Sequence, residues 1–208
     1  MAIYNPKQYD GWHTKLCQFI AIHFLFIPYY FIIRRLKIYG KENLPKDKKP
    51  FIVMPNHLSN LDPPLVSTVL TGIPVAYMAK KELFETPIIK ELIYLLGAFS
   101  VDRGKVEKTT IRAVKEIIEK NWCLGMFLEG TRSKTPGILG IPNIGPAYVA
   151  NLNNIPILPL GIIGSNKPLG PIIVKIGKLF TPDKDLEKAR WQCAEKLAEL
   201  TGFKLPTI

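Results

Sequence analysis

Residues 51–70 read FIVMPNHLSNLDPPLVSTVL, an apolar run, a polar turn and a second apolar run that begins with two prolines. The first run is too short for a helix, and its composition is typical of a buried strand. Asp62 followed by Pro63 has the form of a helix N-cap with proline at the first helical position. The stretch therefore predicts a strand at 51–55 and a helix at 64–70, joined by a polar turn.

Short apolar runs alternate with helical periods along the rest of the chain. Strands are predicted at 75–78, 98–101, 123–127, 157–160 and 172–176, helices at 87–96, 106–120, 146–152 and 185–200, and a loop at 136–146. This alternation indicates an α/β fold. Because no internal repeat or flexible linker interrupts the pattern, we predict one domain over residues 36–208, with a mixed central sheet flanked by helices.

An almost unbroken apolar segment precedes this domain. As a helix, residues 16–33 would be about 27 Å long, slightly short of a full membrane span. Pro28 and two polar residues weaken a spanning interpretation, whereas aromatic residues near the ends and Arg34-Arg35 behind them favour a bilayer interface. We predict that residues 1–35 form a helical segment half-buried in one leaflet. The alternative is an ordinary buried helix; a cleavable signal peptide is disfavoured because the segment ends in two arginines.

The net charge of +11 indicates a surface that attracts anions. Composition alone does not choose between nucleic acid, an acidic membrane face and phosphorylated small molecules. The basic residues form short groups beside apolar or turn segments, without a run of five or six, so we expect no nucleic-acid partner. The three cysteines are widely spaced and form no CxxC pair, which favours a reducing compartment and argues against a zinc site.

His57 and Asp62 are candidates for acid–base chemistry in the turn after the first strand. A neutral imidazole nitrogen can take a proton from a hydroxyl, and a carboxylate on the other ring nitrogen fixes the tautomer and stabilises the imidazolium. The two side chains can meet only if the loop between them folds back, since five residues along a helix turn through about 140°. The alternative is that Asp62 is only a helix cap and His57 a loop residue.

Further polar groups also follow predicted strands and are expected at the same edge of the sheet. They are Lys80 after 75–78, Asp102-Arg103 after 98–101, and Glu129-Gly130-Thr131-Arg132 after 123–127. Ligands of open α/β sheets bind beyond the carboxyl ends of strands, and glycine beside hydroxyl and guanidinium donors suits a phosphate. The alternative is a turn glycine with a solvated arginine and an Asp-Arg helix cap. Beside His57, these groups predict an anion site.

Four blocks of this sequence together resemble the glycerolipid acyltransferase superfamily. They are Asn56-His57 with Asp62, residues 97–103, residues 127–133 and residues 155–160, in the order and spacing of that superfamily. The chain is similar to its bacterial 1-acylglycerol-3-phosphate (lysophosphatidic acid) acyltransferases over about residues 36–180. Leu128 stands where relatives usually have proline, and residues 141–145 lack the basic residue that relatives often carry there.

The resemblance implies transfer of a fatty acyl group to the sn-2 hydroxyl of lysophosphatidic acid, giving phosphatidic acid. The implied donor is a thioester of acyl-carrier protein or coenzyme A, with no metal, no cofactor and no acyl-enzyme intermediate. His57 would be the general base and Asp62 would orient it. The implied phosphate-binding residues are Lys80, Arg103, Glu129, Gly130, Thr131 and Arg132. The resemblance does not identify the oxyanion donor, for which backbone amides near Gly130 and in the fourth block are the candidates.

The resemblance and the apolar segment together predict a peripheral or monotopic enzyme of the cell membrane whose site faces the cytoplasm and whose partners include membrane lipids. Another lysophospholipid or glycerol 3-phosphate is the alternative acceptor. The alternative from a different class is a non-catalytic membrane lipid-binding protein, which would have no use for a His/Asp pair.

Overall fold

The computed structural model describes residue 9 and residues 12–47, 49–86, 90–91, 93–94, 96–101, 108–133 and 135–207. Within that part, seven strands are present: β1 (Lys37–Tyr39), β2 (Ile52–Pro55), β3 (Val75–Lys80), β4 (Ala98–Val101), β5 (Cys123–Gly125), β6 (Ile157–Ile163) and β7 (Ile173–Ile176). The longer helices are α1 (Trp12–Ile33), α2 (Asp62–Val69), α3 (Lys108–Glu119), α4 (Gly145–Asn153) and α5 (Leu186–Thr201). Short 3-10 turns occur at Lys41–Asn43 and Lys81–Phe84.

The strands form one mixed sheet in the order β1-β7-β6-β2-β5-β3-β4. β6 and β7 are antiparallel, and every other neighbouring pair is parallel. The predicted mixed α/β sheet flanked by helices is therefore confirmed. Because β6, β2, β5, β3 and β4 all run in the same direction, their carboxyl ends lie at one edge of the sheet.

Each face of the sheet is covered by its own apolar cluster. Along β2 the side chains alternate, with Ile52 and Met54 in one cluster and Val53 in the other. The first cluster packs against α3, α4 and α5 and contains the fully buried Trp122. The second packs against α1 and α2 and contains Tyr30. Alternation of this kind is expected where a strand is buried on both faces.

Several element boundaries differ from the sequence predictions. The helix predicted at 64–70 begins at Asp62, the strand predicted at 123–127 ends at Gly125, and β6 continues to Ile163. β1 was not predicted, because one apolar residue between two polar ones is too weak a pattern to read as a strand. Residues 90, 91, 93 and 94 of the helix predicted at 87–96 are helical, and the rest of its core lies outside the described residues.

The apolar N-terminal segment is a continuous helix, α1, which starts four residues before the predicted segment. Two π-helical turns, Ala21–Phe26 and Tyr29–Ile33, flank Pro28, which has no N–H to donate. Among the described residues, this one helix is long and apolar enough to cross a membrane. Only 11% of its apolar window is buried, so it is unlike the core helix of a soluble domain. Its most exposed apolar side chains are Trp12, Phe24, Leu25 and Ile32.

Polar contacts from two residues hold α1 against the α/β domain. Buried Gln18 donates from Nε2 to the carbonyl oxygens of Val75 at 3.1 Å and Leu96 at 2.6 Å. At the other end, the Arg34 guanidinium donates to the carbonyls of Gly164, Lys167 and Gly170. Arg34 was expected at a bilayer interface, but its side chain is 2% exposed and binds carbonyl groups of the β6–β7 loop. Arg35 is exposed. The division into residues 1–35 and 36–208 stays a prediction.

Candidate active site

His57 and Asp62 lie in contact in the turn between β2 and α2. The Nδ1 atom of His57 is 2.9 Å from Oδ2 of Asp62. The same carboxylate oxygen accepts the backbone N–H groups of Leu58 at 2.6 Å and Ser59 at 2.7 Å. The loop folds back because these two amides converge on the carboxylate. The side chains therefore meet in the way that the acid–base interpretation requires.

Asp62 does not cap its helix, so that part of the interpretation is wrong. The N-cap residue is Leu61, which makes no side-chain cap, and Asp62 is the first residue of α2. All three hydrogen bonds go to Oδ2; Oδ1 is buried and has no hydrogen-bond partner among the described residues. The helix N-terminus still favours a negative charge at this position through its dipole.

The contact with Asp62 fixes the tautomer of His57. An ionised carboxylate only accepts hydrogen bonds, so Nδ1 carries the proton and Nε2, to which no described residue donates, has the lone pair. The imidazole stacks on the ring of Phe127 with 4.0 Å between centroids and 27° between planes. The His57 side chain is 15% exposed, while Asp62 is fully buried. This is the geometry of an oriented base that is accessible on one side.

Asn56 anchors the residue before the histidine to the neighbouring strand. It is fully buried, donates from Nδ2 to the Ile162 carbonyl at 2.9 Å, and accepts the Ile162 N–H at 2.7 Å. Its amide thereby continues the β2–β6 ladder beyond the last paired residue of β2. The sequence placed Asn56 in a block without giving it a role, since its partner lies 106 residues away.

Glu129 joins the loop after β5 to the backbone of His57. Its Oε2 accepts the His57 N–H at 3.0 Å, and its Oε1 accepts the Gly140 N–H at 3.3 Å. Ser133 donates its own N–H to the His57 carbonyl at 2.8 Å. Burial raises the pKa of Glu129 to about 7, against the lowering effect of the two amides. Both carboxylate oxygens are thus engaged by backbone N–H groups inside the protein.

Gly130 turns the chain so that the next residues reach the surface. Its φ of +64° is in the left-handed region, which favours glycine. Thr131 and Arg132 follow and are exposed. In the described part of the chain their backbone amides donate no hydrogen bond, and no carboxylate pairs with Arg132. This segment offers two amides and a guanidinium near His57, as an anion site would require.

Of the other predicted cations, the structure places Lys80 at the same edge of the sheet. Lys80 ends β3 and is the register partner of Val101, the last residue of β4. Its backbone therefore lies at the carboxyl end of β3. One strand, β5, separates β3 from β2, the strand that precedes His57. Asp102 and Arg103 lie outside the described residues, so their predicted roles stay predictions.

The described part of the chain shows no metal cluster, and two of its three cysteines are buried thiols. No group of three or more His, Cys, Asp or Glu side chains there could hold a metal ion. Burial raises the pKa of Cys123 to about 11 and that of Cys193 to about 12, so both are thiols at neutral pH. The chemistry that this arrangement offers is removal of a proton from a bound hydroxyl beside an anion site.

Comparison with known proteins points in the same direction. A family model described as Acyltransferase matches residues 35–163. The chain is 28% identical over 170 residues to a 1-acyl-sn-glycerol-3-phosphate acyltransferase of Bacillus subtilis (strain 168), which covers 80% of this chain and 82% of the relative. It is 31% identical over 187 residues to a protein of the same name from Saccharomyces cerevisiae, with 79% of this chain and 60% of the relative covered.

A solved structure has a similar fold. It is the crystal structure of the 1-acyl-sn-glycerophosphate (LPA) acyltransferase PlsC from Thermotoga maritima, which superposes with a TM-score of 0.67 at 26% sequence identity. The match covers 89% of this chain and 77% of that one. The similarity therefore includes the sheet that positions His57 and Asp62.

Proposed function

The chain belongs to the acyltransferase family, and on that premise we propose that it transfers a fatty acyl group from a thioester to the sn-2 hydroxyl of lysophosphatidic acid. The product would be phosphatidic acid. The observation that carries this proposal is the 2.9 Å contact between His57 Nδ1 and the buried Asp62 carboxylate, beside the turn at Gly130. The names of the relatives from Bacillus and yeast support the choice of acceptor.

In the proposed reaction, Nε2 of His57 takes the proton of the acceptor hydroxyl while its oxygen attacks the thioester carbonyl. Asp62 stabilises the imidazolium that forms. The tetrahedral intermediate collapses as the new C–O ester bond is kept and the C–S bond breaks. The imidazolium returns its proton to the departing thiolate, so the enzyme ends as it began. The proposed reaction uses no metal and no resident cofactor.

The anion site would hold the acceptor by its phosphate. The Arg132 guanidinium and the backbone amides of Thr131 and Arg132 are donors without partners in the described part of the chain. Charge-assisted bonds of this kind are strong and position a substrate as well as bind it. Lys80 and Arg103 are proposed to complete the site. Glu129 acts in this proposal through the His57 backbone, not by contact with phosphate.

We also propose that the protein acts at the cytoplasmic face of the cell membrane as a peripheral or monotopic enzyme. α1 presents exposed Phe24 and Ile32 while Gln18 and Arg34 hold its ends against the domain. A helix held along the domain surface suits burial in one leaflet better than an isolated span. The lysolipid acceptor and the product are both bilayer lipids, so the active site would bind its acceptor at the membrane.

The direct test is an acyl-transfer assay of the purified full chain in mixed micelles. Lysophosphatidic acid, other lysophospholipids and glycerol 3-phosphate are offered as acceptors with acyl-coenzyme A or acyl-carrier protein as donor, and thiol release is measured. The highest rate is expected with lysophosphatidic acid. His57→Ala should lose nearly all activity, because no other group takes the proton.

Two results would contradict the proposal in different ways. No thiol release with any acceptor would leave only a lipid-binding protein, whereas full activity in His57→Ala would exclude His57 as the general base. A preference for glycerol 3-phosphate or another lysolipid would keep the chemistry and change the acceptor. Arg132→Ala should raise KM for the lysolipid much more than for the thioester. The matched control is Lys115→Ala, which removes one cation from the exposed face of α3.

A further inference from the structure

The hydroxyl of Tyr30 connects α1 to the loop that carries the proposed catalytic residues. It donates to the carbonyl oxygen of Leu61 at 2.5 Å, across 31 residues of sequence. Leu61 is the residue before Asp62, and its carbonyl also accepts the first hydrogen bond of α2 from the Leu65 N–H at 3.1 Å. The bond therefore ends at the point where the loop becomes helix.

Tyr30 is held rigidly enough to act as an anchor. It is fully buried in the apolar cluster that also contains Val53 and Leu65. Its ring makes an edge contact with Tyr29 at 5.0 Å between centroids. Its carbonyl accepts the Leu36 N–H at 2.9 Å, so the chain is fixed on both sides of the ring. A buried side chain with no freedom to move loses little entropy when it holds a loop.

The loop from His57 to Leu61 is consequently held at both ends by distant parts of the chain. At the His57 end, Glu129 and Ser133 bind the backbone N–H and C=O. At the Leu61 end, the contact comes from Tyr30. Between these points the loop is partly exposed and its other hydrogen bonds are internal, from its own amides to Asp62 and Ser59.

We propose that Tyr30 is a positioning residue, so that the membrane-associating helix is also a structural part of the active site. This inference rests on the proposed function and specifies how α1 serves it. By holding Leu61, Tyr30 fixes the direction in which Asp62 leaves the loop and so the orientation of the imidazole. A misplacement of about 1 Å, even one caused far from the reacting atoms, can slow a reaction roughly 100-fold.

The test compares Tyr30→Phe with Tyr29→Phe in the full chain. Phenylalanine keeps the buried ring volume, and the Leu61 carbonyl keeps its bond from Leu65, so Tyr30→Phe is expected to fold. Tyr29→Phe also removes one hydroxyl from the same turn, but that hydroxyl meets Arg34 at 3.2 Å and not the loop. In mixed micelles, kcat should fall roughly tenfold in Tyr30→Phe, with KM for both substrates little changed. Tyr29→Phe should keep the wild-type kcat.

Two further measurements separate positioning from a general loss of structure. Amide hydrogen exchange at Leu58 and Ser59 should quicken in Tyr30→Phe while exchange in β6 stays unchanged. In an Asp62→Asn background, Tyr30→Phe should add little, since Tyr30 acts by positioning the charge of Asp62, which asparagine has already removed. The variant should bind vesicles of anionic phospholipid as the wild type does.

Wild-type kcat in folded Tyr30→Phe would overturn the inference while leaving the proposed function intact. Equal losses in both tyrosine variants, or exchange that quickens throughout the sheet, would also overturn it, because the effect would then be on stability. Failure of the proposed function is recognised separately, by full activity in His57→Ala or by no activity in the wild type.

Discussion

Replacement of Asp62 by asparagine tests whether the buried carboxylate stabilises charge on His57. All three hydrogen bonds of Asp62 go to one oxygen, from His57 at 2.9 Å, Leu58 at 2.6 Å and Ser59 at 2.7 Å. An asparagine can place its carbonyl oxygen at that position and leave its NH₂ group where Oδ1 now lies. The tautomer and the loop are then kept, and what is removed is the negative charge.

The size of the effect follows from the distance. Two unit charges separated by this 2.9 Å contact attract by about 6 kcal/mol at an effective dielectric of ~20 and about 3 kcal/mol at ~40. Because the His57 side chain is 15% exposed, an intermediate loss of about 4 kcal/mol in the transition state is expected, which is roughly 10³-fold in kcat. KM should change little, since the fully buried Asp62 is not placed to touch substrate.

Asparagine should also reduce stability. Its NH₂ group would be buried at the position of Oδ1, where the described residues provide no hydrogen-bond partner. An unsatisfied buried donor costs about 1–3 kcal/mol, and in a chain of this size each kcal/mol lowers the unfolding midpoint by roughly 2–4 °C. The activity loss is therefore measured well below the midpoint of the variant.

The assay is thiol release from an acyl thioester in the presence of lysophosphatidic acid, with thermal unfolding followed in parallel. Ser59→Ala is the matched control, because it changes a polar side chain of the same loop whose hydroxyl, within the described residues, accepts just the Leu61 N–H. A folded Asp62→Asn protein that keeps more than a tenth of the wild-type kcat would refute the electrostatic role of Asp62.

Three other predictions concern stability and membrane binding. Because burial raises the pKa of Glu129 from 4.5 to about 7, its stabilising contribution is full below the unfolded pKa and is lost as pH rises through about 7. Glu129→Gln should therefore flatten the pH dependence of the unfolding free energy between these values by roughly 3 kcal/mol, measured by urea denaturation. Asn56→Ala should lower the unfolding free energy by about 2–5 kcal/mol, because it leaves the buried N–H and C=O of Ile162 without partners; urea titration measures this. Glutamate at both Phe24 and Ile32 should reduce the vesicle-bound fraction at least about tenfold, measured by flotation, with activity in mixed micelles retained.

Each of these has a control on the same chain. Glu119→Gln makes the same chemical change at an exposed carboxylate of α3 and is the matched control. Asn60→Ala changes an exposed amide in the turn and should cost little. Lys115→Glu adds negative charge away from α1 and should not release the protein from vesicles. An unchanged pH slope in Glu129→Gln, full stability in Asn56→Ala, or unchanged flotation of the double glutamate variant would contradict the corresponding prediction.

Local patterns in the sequence were enough for the α/β alternation and for the positions of most elements. The run at 51–55 is apolar on both faces and is followed by polar residues. The sequence alone therefore predicts that this strand is buried and where it ends. The same holds for the placement of Lys80 at the end of a strand and of Glu129–Arg132 after one. Periodicity could not show β1, which has one apolar residue, or the end of β5 at Gly125, because a strand ends where its neighbour stops pairing.

The sequence by itself determined that a histidine and an aspartate follow a buried strand, that basic and glycine residues follow others, and that an apolar helix precedes them all. Only the tertiary structure decided what holds these residues together. Glu129 reaches the backbone of His57 across 72 residues, Asn56 reaches Ile162 across 106, and Tyr30 reaches the loop across 31. Such contacts depend on strand order and register, which no local pattern encodes, because a side chain's partner across a sheet is set by how distant segments pack. The same packing turned Asp62 away from its helix and onto His57.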